Sequence, residues 1–149
     1  GTRMQPIADW GKYEYFDRYD PVLADSPEQR SRARKLGNTQ QGDGFKYRGR
    51  GYVQLTWKAN YAKAGRILGV DLVANPDLAL EPAIAYRILA TGMREGWFTG
   101  KRLADYLRPG RAPDYIGARR VINGQDRAAL IAQYARQFER ALTQARVAP

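Results

Sequence analysis

Residues 42–61 read Gly-Asp-Gly-Phe-Lys-Tyr-Arg-Gly-Arg-Gly-Tyr-Val-Gln-Leu-Thr-Trp-Lys-Ala-Asn-Tyr and hold the side chains best suited to grip a neutral polar ligand. Gln54, Thr56 and Asn60 each offer a donor and an acceptor, the pairing that sugar hydroxyls and acetamido groups need. Arg50 stands between Gly49 and Gly51, where the backbone turns tightly and can expose a guanidinium. From Tyr52 to Thr56 the pattern alternates as in a strand with one buried face. Val53 and Leu55 point one way, and Tyr52, Gln54 and Thr56 the other. Such a strand makes the wall of a polar groove. It equally makes a glycine-bent hairpin whose polar face only meets water, and the residue types alone do not separate the two.

The rest of the composition narrows the chemistry. The 149 residues include no cysteine and no histidine. Disulfides, thiolate nucleophiles, the usual general base and the commonest metal ligand are therefore excluded. No stretch has metal-ligand spacing or the form of a phosphate-binding loop, so neither metal nor cofactor is expected. Acid–base work falls to carboxylates, tyrosines or lysines. Twenty-five Lys and Arg against fifteen Asp and Glu leave a formal charge of +10. A field of that sign draws polyanions: nucleic acid, anionic lipid, or the phosphate-bearing polymers of cell envelopes. No recognised nucleic-acid motif accompanies the charge, so no specific nucleic-acid partner is expected. Arg30, Arg32, Arg34 and Lys35 read as a solvated basic helix face. Trp97-Phe98 reads as loop core or as a sugar-stacking pair. No apolar run approaches the roughly 18 residues of a membrane span. No basic-then-apolar leader opens the sequence.

The elements that must position residues 42–61 are mostly helical. Ser26-Pro27-Glu28-Gln29 has the form of a capping box with Pro at the first helical position, and Gly37 ends that helix. Thr56 is placed to cap the next helix, whose apolar stripe is Trp57, Tyr61, Ala64 and Leu68; Asn60 follows Thr56 by one turn. Asn75-Pro76-Asp77 opens a further helical region that runs to Gly96. A short helix covers about Arg102 to Leu107, another runs from Pro113 to Val121-Ile122, and Asp126 caps the last. Leu130, Ile131, Tyr134, Phe138 and Leu142 are its expected inward face. The length fits one mainly α domain with a small β-element.

Tyr47-Arg48-Gly49-Arg50-Gly51-Tyr52-Val53-Gln54-Leu55-Thr56-Trp57-Lys58-Ala59-Asn60-Tyr61 resembles the signature of family 19 glycoside hydrolases, the group of chitinases and bacterial or phage endolysins. That signature is Gly-Arg-Gly, two residues, Gln, an aliphatic, Ser or Thr, three residues, then Asn-Tyr. Leu36-Gly37-Asn38-Thr39, Gly42-Asp43-Gly44, Asp71 to Pro76 and Arg120 to Gly124 also resemble bacterial members. The resemblance runs from near residue 4 to near residue 142. It implies a lysozyme-like helical domain with its β-element beside a cleft. It also implies that Gln54, Thr56 and Asn60 contact substrate or position the attacking water, with Thr56 assigned the water; Arg50 and Tyr52 join the substrate-binding set from their own placement in the loop. Asn123 would bind sugar, and Arg127 would match a cleft arginine.

Enzymes of this family use two carboxylates and invert the anomeric centre, which sets the carboxyls roughly 6.5–9.5 Å apart. The acid usually sits in a His-Glu-Thr or His-Glu-Ser motif, and Gly1 to Ile7 resembles the stretch that follows it. Counting on, the base falls on Asp9, with Glu14 the alternative. The resemblance thus implies that residues 1–149 form one catalytic domain lacking the N-terminal helix that carries the acid. A non-catalytic glycan- or cell-wall-binding homologue is the other reading. The expected substrate is a β-1,4-linked polymer containing N-acetylglucosamine, peptidoglycan first and chitin second. The expected setting is a monomer made in a bacterial cytoplasm. It would act at the wall or periplasm after release and be drawn to the anionic envelope by charge.

Overall fold

The computed structural model describes residues 4–147 and is mainly helical, with one two-stranded sheet. Contacts divide the chain into two units, Gly1–Leu89 and Ala90–Pro149.

In the first unit β1 (Ile7–Ala8) precedes a 3-10 helix at Tyr13–Tyr19, α1 (Pro27–Lys35) and α2 (Asp43–Lys46). β2 (Arg50–Gly51), α3 (Lys58–Leu68), a second 3-10 helix at Pro76–Leu80 and the start of α4 (Pro82–Glu95) follow. The capping box forms as expected: Gln29 N–H donates to Ser26 Oγ at 3.1 Å, and Ser26 N–H donates to Gln29 Oε1 at 3.2 Å. Gly37, at φ 91, ends the helix in the left-handed region. Phe16, Tyr47, Tyr61, Leu72 and Ile88 form the core. Buried polar groups then stitch the loops to it. Asn38 donates through Nδ2 to Tyr19 O and accepts Lys58 N–H on Oδ1, both at 3.0 Å. The Asp20 carboxylate accepts the N–H groups of Val22, Leu23 and Gly42. Buried groups with their partners in place specify one arrangement of the chain between residues 19 and 58.

Three local expectations fail here, for one reason. No strand spans Tyr52 to Thr56. β2 pairs antiparallel with β1 (Ile7 with Gly51, Ala8 with Arg50). The chain then turns at 52–54, and Leu55 returns to exchange hydrogen bonds with Arg50 at 2.9 and 3.2 Å. Gln54 makes that turn from the left-handed region at φ 52. Thr56 does not cap α3. Its hydroxyl donates to Gln54 O at 2.9 Å, and the helix is entered through Trp57 at φ 77. Asn38, not Thr56, supplies the acceptor for Lys58 N–H. Arg50 does not expose its guanidinium. It is 3% exposed, its Nε donates to Asp77 Oδ1 at 2.7 Å, and its Nη1 donates to Lys46 O, Arg48 O and Tyr61 Oη. Gly51, at φ 80, packs so close to Ala79 O that a Cβ would stand 2.8 Å from it. That glycine turn takes the chain back on itself and leaves the arginine inside.

Tyr61 shares this buried network, its hydroxyl donating to Arg48 O at 2.8 Å. Burial pushes its ionisation up to about 12, against the opposing charges of Arg50 and Arg48. An unfolded tyrosine ionises near 10. Between those values the unfolded chain has lost a proton that the folded chain keeps. The Tyr61 contribution is therefore complete below pH 10 and is lost as pH rises toward 12, by up to about 3 kcal/mol. Denaturant midpoints between pH 9 and 11 should fall less steeply in Tyr61→Phe than in the wild type; equal slopes would refute the assignment.

The second unit holds a 3-10 turn at Leu103–Asp105, α5 (Tyr115–Ala118) with a 3-10 turn at Arg119–Val121, and α6 (Ala128–Val147). The helix expected from Pro113 to Ile122 is thus two short pieces, the first capped by Asp114, whose carboxylate accepts Gly117 N–H at 2.8 Å. α6 is entered through Arg127 at φ 52, whose carbonyl accepts Ile131 N–H, so the capping position assigned to Asp126 falls one residue later. The expected inward face is also corrected. Leu130, Ile131, Tyr134, Phe138 and Leu142 are 39–71% exposed, and Ala128 and Ala132 are the buried residues of α6. Small side chains let helices approach closely, so the covered face is the alanine one. Apolar periodicity shows that a stripe exists, not which stripe is covered.

Candidate functional site

Residues 4–11 run as a strap along the loop from Tyr47 to Trp57. The β1–β2 pairing begins the attachment, and Asp9 N–H extends it to Gly49 O at 2.7 Å. Side chains complete it: Gln54 Nε2 donates to Ile7 O at 2.9 Å and to Gly51 O at 3.1 Å, and Tyr52 Oη donates to Met4 O at 3.4 Å. Asp9 is therefore held by its backbone, and the residue is half-buried.

Gly49 brings the site together. At the point where a Cβ on Gly49 would stand, Gln54 Oε1 is 2.8 Å away and Asp9 Cβ is 3.4 Å away. The Gln54 amide and the Asp9 side chain thus both approach a residue that has no side chain of its own. Asn60, exposed on the first turn of α3, donates to Thr56 O at 2.8 Å. Thr56 spends its proton on Gln54 O, which leaves its oxygen lone pairs to accept a hydrogen bond. A groove of about 350 Å³ opens beside Asp9, lined by Ile7 to Gly11 and by Phe45 and Arg48.

The other sequence-assigned residues fall elsewhere. Arg50 is a brace inside the fold, as above, and presents nothing to a ligand. Glu14 is exposed on the Tyr13–Tyr19 helix and does not wall the groove. Asn123 and Arg127 are exposed on the second unit, where Asn123 Oδ1 accepts Gly124 N–H at 2.8 Å. On the basic face of α1, Arg32, Arg34 and Lys35 are exposed, while Arg30 and Arg34 also donate to the carbonyls of Ala24 and Pro21.

Two residues of the site neighbourhood escape sequence reading. Asp77 is the partner of Arg50 across 27 residues, a distance over which no local pattern links them. Arg48 lies with its guanidinium 4.1 Å from the Phe45 ring centre and donates to Phe45 O at 3.1 Å. Burial, and then the neighbouring Arg50 charge, lower its ionisation from the usual guanidinium value. Among the described residues no group of three or more acidic side chains could hold a metal ion, and no helix is long and apolar enough to cross a membrane.

Comparison with known proteins gives a consistent set of likenesses. A family model described as chitinase class I matches residues 12–99. Endochitinase 1 of Theobroma cacao is 53% identical over 45 residues, 30% of this chain and 14% of that protein. A glycosyl hydrolase family 19 domain-containing protein of Haemophilus influenzae is 37% identical over 92 residues, 51% of this chain and 46% of that protein. Inactive chitinase-like protein 1 of Hevea brasiliensis is 34% identical over 93 residues, 54% of this chain and 30% of that protein. The matched stretches thus span less than half the length of each of these relatives.

Proposed function

This chain belongs to the chitinase class I family, glycoside hydrolase family 19, and from that premise we propose that it hydrolyses β-1,4 bonds in polymers of N-acetylglucosamine with inversion. The observation that supports this most is the approach of both Asp9 and Gln54 to Gly49. Asp9 is half-buried and lines an open groove, so water can reach it as a base that activates water requires. The Gln54 amide can hold a sugar hydroxyl or acetamido group near it. Thr56 Oγ accepts a hydrogen from the attacking water, and Asn60 adds a second amide to the sugar-facing edge. A partner acid on the opposite face protonates the leaving oxygen, and the water between the two groups requires their wide separation.

The related plant proteins are named endochitinases, which favours chitin as the polymer. The +10 charge favours the peptidoglycan of an anionic envelope. A second reading, a glycan-binding homologue that does not cut, is favoured by the Hevea brasiliensis relative named as inactive. Product release from chitin oligomers and from purified peptidoglycan, read by mass spectrometry, separates these. Both the 149-residue chain and the longest form its gene encodes belong in the assay. Oligosaccharides released as the α-anomer are expected. Retention on glycan without cleavage in both forms would support the binding reading, and neither retention nor cleavage would end both.

A further inference from the structure

The groove beside Asp9 carries two side chains that the hydrolysis reading leaves idle. Trp10 is 83% exposed, the most exposed of the large apolar side chains in the described chain. A flat apolar ring held open to water beside a polar groove suits the apolar face of a pyranose ring. Arg48 lines the same groove.

The state of Arg48 points to an anion. Its neighbour Arg50 is matched by Asp77 at 2.7 Å, yet among the described residues no carboxylate lies within 4 Å of the Arg48 guanidinium. Arg48 is half-buried and its guanidinium lies over Phe45, with a hydrogen bond to Phe45 O. A guanidinium has five N–H donors in a planar fork, so most of the fork is left to meet something else. Asp77 and Asp9 act on the Arg48 charge only from beyond ion-pair distance, so this partly buried cation has no paired carboxylate, and an arriving one would supply charge-assisted bonds. Asp9 lines the same groove and would repel an anion at its own end, so the anion belongs at the Arg48 end.

We propose that the groove lined by Ile7–Gly11, Phe45 and Arg48 is a subsite for an acidic sugar, Trp10 stacking on the ring and Arg48 binding a carboxylate that the sugar carries. The ligand class is a glycan of N-acetylhexosamines bearing carboxylates, such as one with lactyl ether groups, in preference to the neutral polymer. This inference rests on the proposed glycan-binding function and adds a choice between polymers that the family does not make.

Calorimetric titration of the 149-residue chain tests it with two oligomers of matched length: a neutral chitin oligomer, and a peptidoglycan glycan strand freed of its peptides so that lactyl carboxylates are bare. The carboxylated strand is expected to bind about tenfold tighter at low salt, the range for hydrogen bonds to a charged group. Arg48→Gln should bring the two affinities level, and Arg48→Lys should keep part of the preference. Arg66→Gln, on the exposed side of α3, removes the same charge away from the groove and should keep all of it. If Arg66→Gln erases the preference as fully as Arg48→Gln, net charge is the cause and the subsite is refuted. Chitin binding without any preference also overturns the subsite and leaves the proposed function standing. Binding of neither oligomer overturns both.

Discussion

Asp9→Asn is expected to lower kcat on an N-acetylglucosamine oligomer by about 10²–10⁴-fold, the usual worth of a general acid or base. KM and melting temperature should stay near wild type. The residue is half-buried, and the backbone N–H, not the carboxylate, ties the strap to Gly49 O. Asparagine keeps the shape and the strap while removing the proton acceptor. The assay is initial rate in whichever form of the protein shows hydrolysis, with product anomer read by NMR. Should Asp9→Asn run at full rate while Glu14→Gln is slow, the base lies on the Tyr13–Tyr19 helix, and the groove beside Gly49 only binds.

Arg50→Ala is expected to cost about 3 kcal/mol of stability, mostly from deprived acceptors rather than from the ion pair. Asp77 is 68% exposed and returns to water when its partner is gone. Lys46 O, Arg48 O and Tyr61 Oη lose a charged donor inside the fold. The reverse change, Asp77→Asn, should cost roughly 1 kcal/mol, because an exposed counter-charge is heavily screened. Urea midpoints of the two variants check the order. Equal losses would mean that the ion pair dominates after all. A Lys at position 50 should rescue little, since a single ammonium cannot replicate the planar fork.

Features set by neighbouring residues were legible in the chain, and features set by distant ones were not. The Ser26–Gln29 box and the stop at Gly37 involve partners three residues apart or a single glycine, so composition was enough. The mainly helical class followed from several such signals in series. Residues 52–56 misled because an inward Leu55 after an outward Gln54 satisfies a tight turn as well as a strand. Only the left-handed Gln54 distinguishes them, and glutamine carries no sign of that conformation. Arg50 misled because flanking glycines mark a turn without saying toward which side it throws the arginine. On α6 the eye follows Tyr134, Phe138 and Leu142, while alanines, weak in any hydrophobic count, take the buried positions. Asp9 could be singled out among fifteen acidic residues only by resemblance to a family, since nothing in its neighbours marks it. Its approach to Gly49 needed the strap, and the strap is held largely by backbone groups that every residue possesses.

Gln54 and Trp57 both stand in the left-handed region without being glycine. Such residues hold roughly 1–3 kcal/mol of strain each, out of a typical folding stability of about 5–15 kcal/mol. Relief is one codon change away in kind: a residue at ease with positive φ at position 54 would relax the turn. It would also delete the amide that clasps Ile7 O and, like Asp9, approaches Gly49. Trp57 has less freedom, since its ring packs edge-on against Tyr19 at 5.1 Å. Heat tolerance and the glycan contact proposed for Gln54 therefore pull residue 54 in opposite directions. A lineage kept only for durability would give up that proposed contact first, while its helices and core stayed intact.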